Sequence, residues 1–328
     1  MAAPPAPGIY PPVPTFFVSR KAADYSDHAA PVDVAAQAAH SLYLARAGIH
    51  GLVVLGSTGE AVHMTNQERA KVLSGVRQAL DGEGFKDYPI IAGTASQSVD
   101  EVVEQLRDAH AGAGCQFGLC LVPGYFAGAA GQDGIVRWFT AVADRSPIPV
   151  MIYHYPGVSN GVKVTVSTFV KLSKHPNIVG CKLSYADLPA HLEIALNPDV
   201  DRKGFAVFTG LGSQLWPVVA VGGAGAVDGV AAFFPRAVLR LFALAGLVRP
   251  SDAEDAERRR LQYLVTAVYT KLIPFGTVAI KEAVARLRGF GDPDGTRPPL
   301  LAGFPDGDAE WARWKPLVDE LQAIEDKL

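Results

Sequence analysis

Eight short apolar runs, set roughly 30 residues apart by helix-like segments, predict a (β/α)8 TIM barrel. The runs are apolar throughout and do not alternate with polar residues, as in strands buried on both faces of a parallel sheet with helical crossovers. A third observation is that strand-like runs stop after Pro235 while helix signals continue, which adds a C-terminal helical extension. At 328 residues the chain accommodates both. The expected organisation is a flexible Pro/Ala-rich lead-in over residues 1–11, the barrel over 12–248, and the extension over 249–328.

In order along the chain, residues 13–17 read as the first strand and 33–47 as a helix ended by Gly48. Residues 51–55 form the second strand. The next helix starts near Asn66, because Thr65-Asn66-Gln67-Glu68 is a capping box. Residues 89–93 are the third strand, and Ser98 caps the helix after it. Residues 117–122 and 149–153 are the fourth and fifth strands, with a helix over 131–145 between them. A helix at 166–173 leads to the sixth strand, which carries Lys182, and another follows at 186–196. Residues 206–209 form the seventh strand, 213–221 a short helix, and 226–230 the eighth strand. In the extension, Ser251-Asp252-Ala253-Glu254 caps a helix to about Leu272. Helices over 277–288 and 308–327 follow, separated by the Gly/Pro/Asp-rich residues 289–307.

Composition excludes several functions. A net charge of −3 gives no electrostatic case for nucleic acid or an anionic membrane. The densest basic run, Arg258-Arg259-Arg260, follows acids in a helix and reads as a solvated face. No run of eighteen apolar residues spans a membrane. The N-terminus has neither the charged nor the apolar region of a secretory signal, and three unpaired cysteines suit a reducing compartment, so a cytoplasmic location is expected. The eight histidines show no ligand spacing such as His-x-His or His-Glu-x-x-His, so no metal is expected.

Three strand ends carry the residues with chemistry in them. Lys182 ends an apolar run, where desolvation disfavours its cation and leaves an amine able to attack a carbonyl. The alternative is a lysine that reaches into solvent. Gly56-Ser57-Thr58-Gly59-Glu60 follows the second strand and offers free amides and hydroxyls to a carboxylate or a phosphate, or simply closes a tight turn. Tyr153 can move a proton if a second hydroxyl relays for it, or can pack as a core aromatic. Tyr155 reads as packing, and His154 points to the opposite face from Tyr153. Gly222-Gly223-Ala224-Gly225 has no basic companion and reads as close backbone packing.

Together these motifs resemble the dihydrodipicolinate synthase/N-acetylneuraminate lyase family of class I pyruvate aldolases, over roughly residues 12–317 in order and spacing. The family's Gly-x-Thr-Gly-Glu loop matches Gly56 to Glu60, its Tyr-x-x-Pro matches Tyr153 to Pro156, and its Gly-x-Lys matches Gly180 to Lys182. The resemblance implies an imine on Lys182 with no added cofactor, a substrate carboxylate on Ser57, Thr58 and Gly59, and proton transfer by Tyr153. Ser57 and Tyr125 would be the relay, with Tyr125 lent by a neighbouring subunit of a homotetramer built as a dimer of dimers. Gly210 and Val227 complete the implied binding set, and the C-terminal helices are expected to help assembly.

The departures concern the substrate. No Arg follows the Tyr-x-x-Pro motif, where Gly157-Val158-Ser159-Asn160-Gly161 stands, so a semialdehyde carboxylate lacks its usual partner. Leu183 and Ser184 follow the lysine where an acid is common. Thr209-Gly210-Leu211-Gly212 lacks the Asp expected for sialic acid. The wording is most similar to fungal 2-keto-3-deoxy-sugar-acid aldolases, which implies cleavage of L-threo-3-deoxy-hexulosonate to pyruvate and L-glyceraldehyde. The alternatives are a 4-hydroxy-2-oxoglutarate aldolase, a dihydrodipicolinate synthase-type condensation, and a barrel that binds keto acids without catalysis.

Overall fold

The computed structural model describes residues 2–300 and 303–328. Residues 301–302, in the expected 289–307 connection, and Met1, in the expected lead-in, lie outside them. Among the described residues there are eight parallel strands: β1 (Gly8–Ile9), β2 (Leu52–Val54), β3 (Ile90–Thr94), β4 (Phe117–Leu121), β5 (Val150–His154), β6 (Ile178–Leu183), β7 (Ala206–Thr209) and β8 (Gly225–Ala226). The order β1-β8-β7-β6-β5-β4-β3-β2 curls the sheet until its ends meet. There the Pro12↔Val53 bridge and the Val13 N–H to Val53 O bond (3.0 Å) close the barrel.

Crossover helices α1 (Val34–Arg46), α2 (Asn66–Gly82), α3 (Val99–Ala113), α4 (Gln132–Arg145), α5 (Val166–Leu172), α6 (Leu188–Leu196) and α7 (Leu215–Ala220) follow β1 to β7 in turn, and α8 (Pro235–Ala245) follows β8. Their starts are chemically marked. Asp33 and Ser98 accept the N–H groups of Ala36 and Glu101, and Thr65 with Glu68 forms the full capping box. The extension consists of α9 (Asp252–Leu272), capped by Ser251 and Glu254, then α10 (Thr277–Arg288) and α11 (Asp308–Glu325). Among the described residues no single helix is long and apolar enough to cross a membrane.

The two-residue period of the strands sorts their side chains, interrupted in β6 by a bulge at Val179. Val53, Ile91, Leu119, Met151, Tyr153, Val179 and Phe208 fill the barrel interior, while Cys120, Ile152, Cys181 and Leu183 pack under the helices.

Three expectations require correction. The first strand is not 13–17 but Gly8–Ile9, inside the stretch expected to be a flexible lead-in; it pairs with β8 and is buried. Prolines at 11, 12 and 14 lack the N–H a continuous ladder needs, so only single contacts form there. The eighth strand stops at Ala226 rather than 230, because Val230 to Ala232 turn as a 3-10 helix. Helix α8, beginning at Pro235, carries no Ser, Thr, Asp or Asn cap and was not anticipated. The Gly222 to Gly225 stretch does serve close packing: a Cβ on Gly225 would lie 2.0 Å from Gly8 O.

Candidate active site

Lys182 lies one residue from the end of β6, in register with Tyr153 on one side and Phe208 on the other. It is 3% exposed, and its Nζ sits 4.2 Å from the centre of the Tyr153 ring. Burial in this apolar setting lowers the amine from 10.5 to about 7, opposed by the negative charge of Asp228. The structure therefore favours the buried, neutral amine over the lysine that reaches into solvent.

Asp228 is itself fully buried, just beyond β8. Its Oδ1 accepts the Gly212 N–H at 3.0 Å, and its Oδ2 has no partner among the described residues. Burial raises this carboxyl to about 6, against N–H donors from Val230, Gly212 and Ala231. Gly212 is required for the approach, since a Cβ there would stand 2.8 Å from the carboxylate. Sequence reasoning missed Asp228. The one signal was an acid directly after the apolar run Ala226-Val227, with a glycine behind it.

The Tyr153 hydroxyl donates to Ser57 Oγ at 3.2 Å. Burial lifts the phenol to about 12, and contacts with Ser57 and Ser184 pull it back. Ser184, two residues after the lysine, is thus a second hydroxyl on Tyr153. Gly210 makes room for it, since a Cβ there would fall 1.9 Å from Ser184 Oγ. Tyr125 is not part of this group within one chain. It is 74% exposed and stacked edge-on against Phe126, with its N–H held by Gln97. His154 points away from the site, as alternation requires, its Nε2 lying between Val162 O and Val164 N–H.

The loop after β2 is fastened from behind. Thr15 Oγ1 donates to Gly59 O and Thr277 Oγ1 to Thr58 O, both at 2.6 Å. Glu60, buried and left-handed (φ 52°), is ion-paired with the buried Lys281 and accepts from His63 Nδ1 at 2.9 Å. Lys281 also donates to Gly295 O at 2.7 Å. With the carbonyls of Thr58 and Gly59 committed, the N–H groups of Ser57, Thr58 and Gly59 have no partner among the described residues. Three adjacent free amides form a cradle for an anion.

These elements enclose a cavity of about 480 Å³. Ser57, Thr58, Tyr153, Lys182, Gly210 and Val227 line it, as the sequence suggested; Gly59 belongs to its loop, and Tyr125 is absent from its wall. Tyr155, expected only to pack, also faces it. The extension turns out to be more than an appendage. Tyr269 and Leu272 of α9, Phe275, and Thr277 and Ile280 of α10 form one wall. Among the described residues no three His, Cys, Asp or Glu side chains gather as a metal-binding group.

An amine lowered to about 7, set 4.2 Å from the ring of a phenol that bonds a serine hydroxyl, is equipped to make and break bonds beside a carbonyl carbon. Fold and site define a carbon–carbon lyase of the class I pyruvate aldolase kind. Its family is the Dihydrodipicolinate synthetase family, whose pattern matches residues 26–306, and the chain belongs to it. The chain is 36% identical to a protein of Emericella nidulans named "Probable 4-hydroxy-2-oxoglutarate aldolase, mitochondrial", over 87% of this chain and 86% of that one. It is 32% identical to the L-threo-3-deoxy-hexylosonate aldolase of Hypocrea jecorina, covering 89% and 90% of the two chains. The crystal structure of a dihydrodipicolinate synthase family protein from Coccidioides immitis superposes with a TM-score of 0.82 at 29% identity, covering 100% and 99%. A prophage protein of the same family from E. coli K12, in complex with pyruvate, gives 0.80 at 25%, covering 96% and 98%.

Proposed function

We propose that the protein reversibly cleaves a 2-keto-3-deoxy sugar acid, with L-threo-3-deoxy-hexulosonate as the favoured substrate, to pyruvate and L-glyceraldehyde. The neutral Lys182 amine attacks the C2 carbonyl, water leaves, and an imine forms; its protonated nitrogen is the electron sink, so no added cofactor is needed. Ser57, Thr58 and the free amides of their loop hold the C1 carboxylate. Tyr153, through Ser57 and Ser184, takes the proton from the C4 hydroxyl. The C3–C4 bond pair then flows towards the imine, the aldehyde departs, and the enamine is protonated at C3. Water finally releases pyruvate and restores the amine.

The observation that carries the substrate is the chemistry of the upper cavity. Among the described residues the titratable groups lining the cavity are Glu60, His63, Tyr153, Tyr155, Lys182 and Tyr269, and Lys182, the one lysine or arginine among them, is engaged by the C2 carbonyl. A second carboxylate, as on 4-hydroxy-2-oxoglutarate, meets no guanidinium or second ammonium among the described lining residues. The hydroxyls of Tyr155 and Tyr269 carry no protein bond among the described residues and suit a neutral, hydroxylated tail. The 36% identity to the Emericella nidulans protein favours 4-hydroxy-2-oxoglutarate as the second reading.

The reading extends to a homotetramer in which a neighbour's Tyr125 joins the relay; the exposed Tyr125–Phe126 pair supports it. It also extends to a cytoplasmic location, supported by three buried free thiols. Two measurements test the chemistry. Cyanoborohydride with pyruvate is expected to fix a covalent adduct on Lys182; an unmodified Lys182 refutes the imine and leaves a non-catalytic keto-acid binder. Pyruvate release from a panel of keto acids is expected to be fastest with the hexulosonate. Faster release from 4-hydroxy-2-oxoglutarate overturns the substrate.

A further inference from the structure

None of the bond-making steps uses Glu60 or His63, yet the structure constrains both tightly. Glu60 is 2% exposed and sits in the left-handed region, which is unfavourable for a non-glycine residue. Its carboxylate pairs with Lys281 and acts as a hydrogen-bond acceptor. Nδ1 of His63, 2.9 Å away, therefore carries the hydrogen of that bond. In the neutral ring this leaves Nε2 with a lone pair. No described residue bonds Nε2, and His63 lines the cavity.

Its height in the cavity follows from its neighbours. Lys182 and Tyr153, at 3% and 4% exposure, form the floor, whereas Val62, beside His63, is 74% exposed at the rim. The turn Ala61–His63 thus climbs from the cradle to the mouth. With the pyruvate half on cradle and floor, the aldehyde half would extend towards the mouth, where the turn carrying His63 lines the cavity.

We propose that His63 is a specificity-determining residue whose Nε2 accepts a hydrogen bond from a hydroxyl on the aldehyde half of the substrate. Glu60 and, behind it, Lys281 act as positioning residues for the ring. The inference rests on the lyase reading and narrows its substrate class to hydroxylated aldehydes. A lone pair at this point attracts an alcohol and repels a carboxylate, which has no hydrogen to offer.

The test compares condensation of pyruvate with L-glyceraldehyde and with propanal, its hydroxyl-free counterpart, alongside reductive trapping of pyruvate. His63→Asn keeps a donor for Glu60 but removes Nε2. It is expected to leave trapping intact and to lower the glyceraldehyde-to-propanal ratio of kcat/KM about tenfold, the worth of one hydrogen bond. His63→Gln, which restores a polar atom near Nε2, is expected to recover part of the ratio. An unchanged ratio overturns the proposal, as does an equal loss with both aldehydes. Loss of trapping in both variants also overturns it, because the ring would then serve the cradle. Failure of the unaltered enzyme to trap pyruvate is a separate result; it removes the lyase reading and this proposal with it.

Discussion

Between about pH 5.5 and 9, the rate at which Lys182 captures pyruvate is expected to rise tenfold per pH unit and then level off near neutrality. The perturbation is the proton itself, and the magnitude comes from the burial of the amine. A solvated lysine is neutral in only roughly three molecules in ten thousand at pH 7. Lowered to about 7, Lys182 is neutral in half of them, a gain in nucleophile of roughly a thousandfold. The stability cost has a definite sign. A base whose folded value lies below its unfolded 10.5 binds fewer protons in the native state, so stability falls as pH drops from 10.5 towards 7, and the full cost stands below that. At 1.36 kcal/mol per pH unit it reaches roughly 5 kcal/mol, so Lys182→Met should melt at a higher temperature near pH 6 while losing all capture. Asp228→Asn removes the charge that favours the ammonium and should move the inflection to lower pH. The assay is the initial rate of reductive trapping, followed by intact mass at each pH. An inflection above about pH 9, or an alkaline shift in Asp228→Asn, would refute the claim that burial tunes the amine.

Two further outcomes follow from the same geometry. Tyr153→Phe is expected to keep the pyruvate adduct but to cut carbon–carbon cleavage roughly 10²–10⁴-fold, measured as single-turnover pyruvate release; equal loss of both activities would show that the phenol shapes the floor instead of moving a proton. Lys281→Met strands the Glu60 carboxylate in the core and is expected to destabilise the fold by roughly 3–5 kcal/mol in urea titrations. The double variant Glu60→Gln/Lys281→Met should regain part of that stability, and no recovery would show that the two charges are not coupled.

Much of this site was legible because the barrel's own geometry announces it. Lys182 and Tyr153 close apolar runs, and a two-residue period turns them inward together while sending His154 and Cys181 outward. The helix starts at Thr65 and Ser251 were legible for a local reason, since each capping box closes within four residues. Local signals failed where contacts are distant or elements very short. β1 is two residues long and sits among prolines that resemble a linker. Asp228 acquires its meaning only when β8 folds beside β7, one strand away from β6. Glu60 read as part of a turn because its partner, Lys281, lies in a helix that seemed to belong to assembly. Ser184 read as a missing acid, whereas the space above Gly210 makes it a partner of Tyr153.

The bond from Thr277 to the carbonyl of Thr58 joins residues 219 positions apart in the chain. During synthesis, every strand through β8 leaves the ribosome before α10 does, so the Thr58 carbonyl is made long before its partner. Thr277 and Lys281 must leave the ribosome and dock before the loop amides are fixed. A chain clipped ahead of α9 would keep Thr15 as the loop's remaining fastening and would lack the cavity wall that α9 and α10 supply.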